Sequence, residues 1–310
     1  MYPQRATVEA LEQAGTMAAD PIEGRSLWQD ARARFFRNKA AVGSLIVLAA
    51  VLLFAAFGKF AAQWSNEEID WTMLGMVPDM GGPSLSNGHW FGVDETGRDL
   101  YARTVQGTRI SLMVGIVGAL ISVVVGTAWG ATAGYLGGRI DNAMMRVVDV
   151  MMSIPYMFVL ILLLVVFGRS MIMLFVGIGL ISWLDMARIA RGQTLSLRGK
   201  EFVEAAVATG VSTPTIIRRH IVPNLLGVVI VYATLLVPQM IIFESFISFL
   251  GLGVQEPSTS WGALINAGAD NIRNQTPWML AFPLAFFIVT LFAFFFVGDG
   301  LRDALDPKDR

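Results

Sequence analysis

The 310-residue sequence has no cysteine and only two histidines, His89 and His220, which stand far apart. Absence of cysteine excludes disulfides, thiolate catalysis and cysteine-based metal sites. A histidine with no second one close by gives no metal-ligand spacing, so His89 reads as a plain loop residue despite its nearness to Asp94 and Glu95. No metal site is expected. Charge is also scarce, at 15% of residues against about 25% in an average soluble domain, and the net charge of -1 leaves no basic field for nucleic acid. Three catalytic patterns are missing: G-x-x-x-x-G-K-[ST], H-E-x-x-H and G-x-S-x-G. The chain therefore has no P-loop of its own for ATP, and neither metal-assisted nor serine hydrolysis is expected of it. If it uses energy, another chain or an ion gradient supplies it.

What is present is a membrane composition, with 55% hydrophobic residues and a mean hydropathy of +0.59. Crossing a hydrocarbon core takes about 20 mostly apolar residues. Uncharged runs occupy 40–58, 110–138, 150–168, 170–184, 220–243 and 274–298, so an all-α protein with six transmembrane helices is expected. The fourth run is short and has to extend to about 190 through "DMARIA", with Asp185 and Arg188 reaching toward the headgroups; the fifth extends to about 250. With the N-terminus inside, the inner segments 1–39, 139–149, 185–219 and 299–310 hold 17 of the 23 Lys and Arg residues, which obeys the positive-inside bias. The expected organisation is a cytoplasmic segment 1–39 and a transmembrane domain 40–310. That domain has outer loops at about 59–109 and 251–273 and a cytoplasmic loop at about 191–222, and both termini lie on the cytoplasmic side of the bacterial plasma membrane. The basic flank "RARFFRNK" follows too much polar sequence for a cleaved signal peptide. In "SLWQDARARFF", Leu27, Ala31 and Phe35 stand four apart, a pattern that fits both a helix lying in the inner headgroup layer and a frayed tail.

Within the spans, Gly126, Gly130 and Gly134 form a small-residue stripe that lets another helix approach closely. Pro155, Pro238 and Pro283 each remove a helical hydrogen bond. Glu244 is the carboxylate a span has to hold. It fits an outer cavity or gate, together with Asp94, Arg98 and Asp99 of the outer loop, and it equally fits a capped structural carboxylate.

The stretch "EFVEAAVATGVSTPTIIRRHIVPN" at 201–224 lies in a charged segment wedged between two apolar runs. Glu201 and Glu204 favour a helix start, and Gly210 supplies a left-handed stop. Thr213 caps a second helix, with Pro214 at its first position, that runs toward Pro223. Ala205 and Ala206 keep one surface low, and Glu204 offers a carboxylate to a basic partner. A docking knob and a solvated loop with ordinary caps both fit.

"EAAVATG", with Pro223 beyond it, resembles the EAA signature of ABC-importer permeases, E-A-A-x3-G-x9-I-x-L-P. Glu204, Ala205, Ala206, Gly210 and Pro223 match, while His220 and Val222 replace the usual Ile and Leu. "FGVDETGRDLYAR" at 91–103 resembles the FGTD-x-x-GRD segment of peptide and nickel permeases, with Val93 for Thr. "FISFLGLGVQEPSTSWG" at 246–262, "GDGLRDALDP" at 298–307, "EGRSLWQDA" at 23–31 and "WLDMARIARGQTLSL" at 183–197 are similar to the C-type permeases of bacterial oligopeptide importers. The resemblance implies a type I ABC-importer (MetI-like) fold and a translocation path shared with a homologous second permease. It implies two ATPase subunits that hold ATP and Mg2+, and an extracytoplasmic peptide-binding protein; this chain would bind no cofactor itself. The matched EAA residues would couple it to the ATPases. On the residues alone, an ion-coupled carrier and a membrane scaffold remain open.

Overall fold

The structure, a computed structural model, describes residues 27–305; expectations for the segment before Leu27 lie outside it. In chain order the helices are α1 (Leu27–Arg37), α2 (Lys39–Ala61), α3 (Val77–Met80), α4 (Leu100–Leu136), α5 (Gly138–Ser153) and α6 (Tyr156–Phe167). They continue with α7 (Met171–Arg198), α8 (Glu201–Ala208), α9 (Thr213–Phe249), α10 (Trp261–Asn271) and α11 (Trp278–Leu305). Five of these, α2, α4, α7, α9 and α11, are long and apolar enough to cross a membrane, and the bent pair α5–α6 passes the same test only when its two helices are taken together as one broken span.

Local chemistry sets the boundaries. Asn38 accepts from the Ala40 and Ala41 amides at 3.1 and 3.2 Å and opens α2; Asp99 accepts from the Ala102 amide at 2.7 Å and opens α4. Helix α4 closes on Gly137 at φ +66°, a conformation that costs glycine little. The third span is not the straight crossing expected at 150–168. It bends by 76° between α5 and α6, because Pro155 has no amide to donate and its ring excludes the residue before it from helical geometry. Helix α6 alone has 12 residues, about 18 Å at about 1.5 Å per residue, too short to cross. The second span starts at Leu100 rather than 110, and its arginines turn to the protein: Arg109 donates twice to the Ala55 carbonyl, at 3.2 and 2.9 Å, and Arg103 Nη2 donates to Glu256 at 2.7 Å. Helix α7 runs on to Arg198, so the loop expected from 191 begins only after it.

The centre of the bundle is the α4–α7 crossing. A Cβ at Gly126 would stand 2.6 Å from the Trp183 carbonyl, and one at Gly134 would stand 2.8 Å from the Arg191 carbonyl; only hydrogen at these positions lets the two backbones touch. Helix α1 lies against α2 and α11, with Ala31 and Phe35 buried among Ala41, Ala293, Val297 and Ala304. It is a packed helix, not a frayed one. Phe57, Phe60, Leu162, Val165 and Val166 are exposed on α2 and α6, as surfaces facing lipid or another apolar chain have to be.

Candidate functional site

The candidate coupling elbow is α8 and the start of α9. Glu201 and Glu204 sit in the first turn of α8, whose positive end they complement. At its far end the Gly210 amide donates to the Val207 carbonyl at 3.0 Å and the Val211 amide to the Ala206 carbonyl at 3.1 Å, with Gly210 at φ +77°. This pair of crossed bonds around a left-handed residue is the Schellman stop. The next helix is capped one residue earlier than expected: Ser212 has extended backbone and Thr213 is already helical, which puts Pro214 at the second position. That helix also does not end near Pro223. A wide π-turn at Ile217–Ile221, with the Val222 amide donating to the Ile217 carbonyl, accommodates the proline, and α9 continues to Phe249. The elbow's second arm is therefore the first part of a membrane helix.

The structure divides the EAA residues between two faces. Val203 and Ala206 are buried with Ile216, Ile221 and Leu225, so Ala206 anchors α8 and does not belong to the low outer surface expected of it. Glu204, Ala205 and Gly210 are exposed, as is Pro223 on α9. Sequence reasoning missed Phe202 and Val207, both large and exposed. With 203 and 206 inward, a period of 3.6 turns 202 and 205 outward, so Phe202 was legible once the inner pair was known.

At the opposite end of the bundle the expected outer cluster splits. Asp94, Arg98, Arg103 and Glu256 line a cavity of about 230 Å3. Glu256 meets Arg98 and accepts from Arg103 Nη2 at 2.7 Å, while Arg103 Nε faces Asp94 at 3.4 Å. Burial opposes ionisation of Glu256, but the Arg103 and Arg98 guanidiniums together hold its carboxyl below the ordinary range. Asp99 is not part of this cavity. It caps α4 and lies 2.9 Å from His89 Nδ1, and burial pushes its carboxyl up. His89 is not a plain loop residue. It is buried, with Nε2 3.3 Å from Asp70, and stacks on Trp64 at 4.6 Å, bolting the outer loop to the start of α4. A hydrogen bond from Thr72 leads the groups that hold the Asp70 carboxyl low.

Glu244 is not among the residues lining the cavity at Asp94, Arg98, Arg103 and Glu256. It is fully buried and accepts from Ser111 at 2.8 Å and Ser248 at 2.7 Å; Ser111 Oγ in turn accepts from the Trp261 amide at 3.1 Å. Its burial and serine partners are those of a capped carboxylate. It ties α4, α9 and the start of α10 together. Asp185 stands midway along α7 and faces a groove against α9.

Residues 126–310 match the family model described as binding-protein-dependent transport system inner membrane component, and residues 26–78 match that of the N-terminal TM domain of oligopeptide transport permease C. The oligopeptide transport system permease protein OppC of Escherichia coli K12 is 58% identical over 289 residues, covering 93% of this chain and 94% of that protein. The dipeptide transport system permease protein DppC of Bacillus subtilis is 43% identical over 302 residues, covering 97% and 92%. Among solved structures, a chain of the MetNI methionine ABC transporter in inward-facing conformations superposes with a TM-score of 0.54 at 17% identity, covering 65% of this chain and 95% of its own, which shows a shared fold. A chain matched by that model over more than half its length, and by these relatives over nearly all of it, belongs to the binding-protein-dependent transport system inner membrane components, alongside the oligopeptide permease C proteins.

Proposed function

We propose that this chain is the C-type permease subunit of an ABC importer that carries oligopeptides inward across the bacterial plasma membrane. It works with a homologous second permease, two ATPase subunits that hold ATP and Mg2+, and an extracytoplasmic peptide-binding protein. This chain binds no cofactor and hydrolyses nothing. Both its termini and the α8 elbow face the cytoplasm, an orientation supported by the 17 of 23 basic residues on that side.

The observation that carries this reading is the continuity of the elbow with α9. Glu204, Ala205 and Phe202 face outward on a short helix with a rigid stop, and the arm beyond the stop is itself a membrane span. When the ATPases close on ATP, a push on α8 reaches α9 through the hydrogen-bonded turn at Gly210, and the bundle opens to the other side as a rigid body. Hydrolysis resets it. Gly210 and Pro223 shape the stop and the π-turn, while Ala206 fastens α8 to the bundle.

In the complete transporter, Glu204→Lys combined with Ala205→Trp is expected to abolish peptide uptake with insertion intact. Normal uptake by that variant would remove the elbow from the mechanism. Dipeptide import is a second reading, favoured by the 43% identity to a dipeptide permease; uptake assays with peptides of two to five residues separate the two.

A further inference from the structure

Two adjoining cavities lie between α6, α7 and α9. One, of about 430 Å3, is lined by Asp185, Arg188, Tyr232, Leu236 and Gln239 among others; the second, of about 80 Å3, shares Asp185, Leu236 and Gln239 and adds Tyr156, Met240 and Phe243. Asp185 stands 14 residues beyond Met171 in a helix of 28, about 21 Å along it at about 1.5 Å per residue, so a hydrocarbon core of about 30 Å that begins at Met171 encloses it. The outer ends of the flanking helices are level, since Arg169 before α7 donates to the Gly251 carbonyl after α9 at 3.2 Å. Gln239, ten residues before Phe249, therefore lies at a similar depth.

Asp185 is exposed to this groove and, among the described residues, has no hydrogen-bond or ion-pair partner. The basic residue beside it, Arg188, is already paired with Asp149 at 2.7 Å. An unpaired carboxylate at this depth is costly and marks a pathway. Its surroundings are those of a ligand site: mostly apolar walls, a few convergent polar groups, and a volume within the usual range of about 300–1,000 Å3.

We propose that Asp185, with Gln239 and Tyr232 beside it, is a station on the translocation path that holds an ammonium group of the peptide in transit. This rests on the transport reading above. A carboxylate only accepts, so it selects a cationic donor; the Gln239 amide both donates and accepts, which suits a peptide group. The apolar wall of Leu236, Met240 and Phe243 admits side chains without reading them. A carrier of varied peptides can grip what they share, the N-terminal ammonium, and a lysine side chain offers the same chemistry.

The test uses the complete transporter in proteoliposomes, with Asp185→Asn and Asp185→Glu, and measures uptake of Ala-Ala-Ala, Ala-Lys-Ala and Ala-Glu-Ala relative to the unchanged protein. Absence of uptake by the unchanged protein counts against the transport reading and is seen before any variant is compared. Asp185→Asn is expected to slow all three peptides about tenfold, the loss of one charge-assisted hydrogen bond, with ATP hydrolysis and co-purification of the second permease retained and Asp185→Glu recovering most of the rate. Loss confined to Ala-Lys-Ala supports the same site with lysine as the source of the ammonium. Unchanged uptake overturns the proposal, and so does loss of co-purification, which assigns the carboxylate to a cation of the second permease. Because the chain has no cysteine, a Gln239→Cys variant carries its only thiol at the station. Alkylation there is expected to slow with transported peptide, and labelling indifferent to peptide overturns the proposal too.

Discussion

Gly210 offers a test of the elbow in which one physical cause acts alone. A Cβ added there would meet nothing within 4 Å, so substitution costs only what the backbone demands. The backbone sits at φ +77°, where an ordinary L-residue loses about 1–2 kcal/mol and asparagine loses less because it visits that region readily. Proline cannot adopt it, with φ held near -65°, and it also deletes the amide bond to the Val207 carbonyl, worth about 0.5–1.5 kcal/mol. What opposes these costs is small. Helix α8 has eight residues and buries only Val203 and Ala206, and a fully buried valine contributes roughly 1.5–3 kcal/mol. A penalty comparable with the anchoring shifts the formed elbow by about 5- to 30-fold. Peptide uptake by the complete transporter, normalised to the amount of this chain in the membrane, is therefore expected to fall in the order Gly, Asn, Ala, Pro, with Asn near the unchanged rate and Pro at background. A flat series, or alanine at the unchanged rate, would refute the claim that the left-handed stop positions the elbow.

Other outcomes follow from the same structure. Gly130→Ala brings a Cβ within 2.7 Å of the Arg191 amide and 2.8 Å of Ala190 Cβ; overpacking of this kind costs about 1–3 kcal/mol and is expected to lower the midpoint of thermal unfolding in detergent, with Gly192→Ala, which meets nothing within 4 Å, as the unaffected control. Ser111→Ala takes a donor from Glu244 and an acceptor from the Trp261 amide at once, and a loss of about 1–3 kcal/mol in the same assay is expected. Because the Glu256 carboxyl is held low, its contribution is present above the ordinary glutamate range of about 4.3 and is lost as pH falls through its lower folded value. Protease sensitivity of the 251–260 loop is expected to rise on acidification below that range, and Glu256→Gln should remove the pH step.

Particular residues show how far the sequence could be read. Six apolar runs, the glycine stripe and the elbow's Gly210 were legible because each is a local rule: span length, side-chain size, and a backbone angle only glycine adopts cheaply. Asp185 read only as a charge near the end of a short apolar run, because nothing local says that α7 continues as a helix to Arg198 or that residues of α9 far along the chain form a groove beside it. His89 was undervalued for a similar reason. Its partners Asp70 and Asp99 are 19 and 10 residues away, and a loop pattern does not reveal which of several carboxylates folds back onto it. Ala205 and Ala206 are neighbours of one type, yet only packing against Ile216 and Ile221 decides that the second is an anchor.

By itself the sequence determined the membrane class and the family signature, since these depend on composition and on residues close together in the chain. Only the tertiary structure decided that Glu244 is a sealed structural tie while Asp185 is an open carboxylate in a groove. Both are single acids in apolar helices, and what separates them is which distant serines, arginines and cavities the packed helices bring alongside.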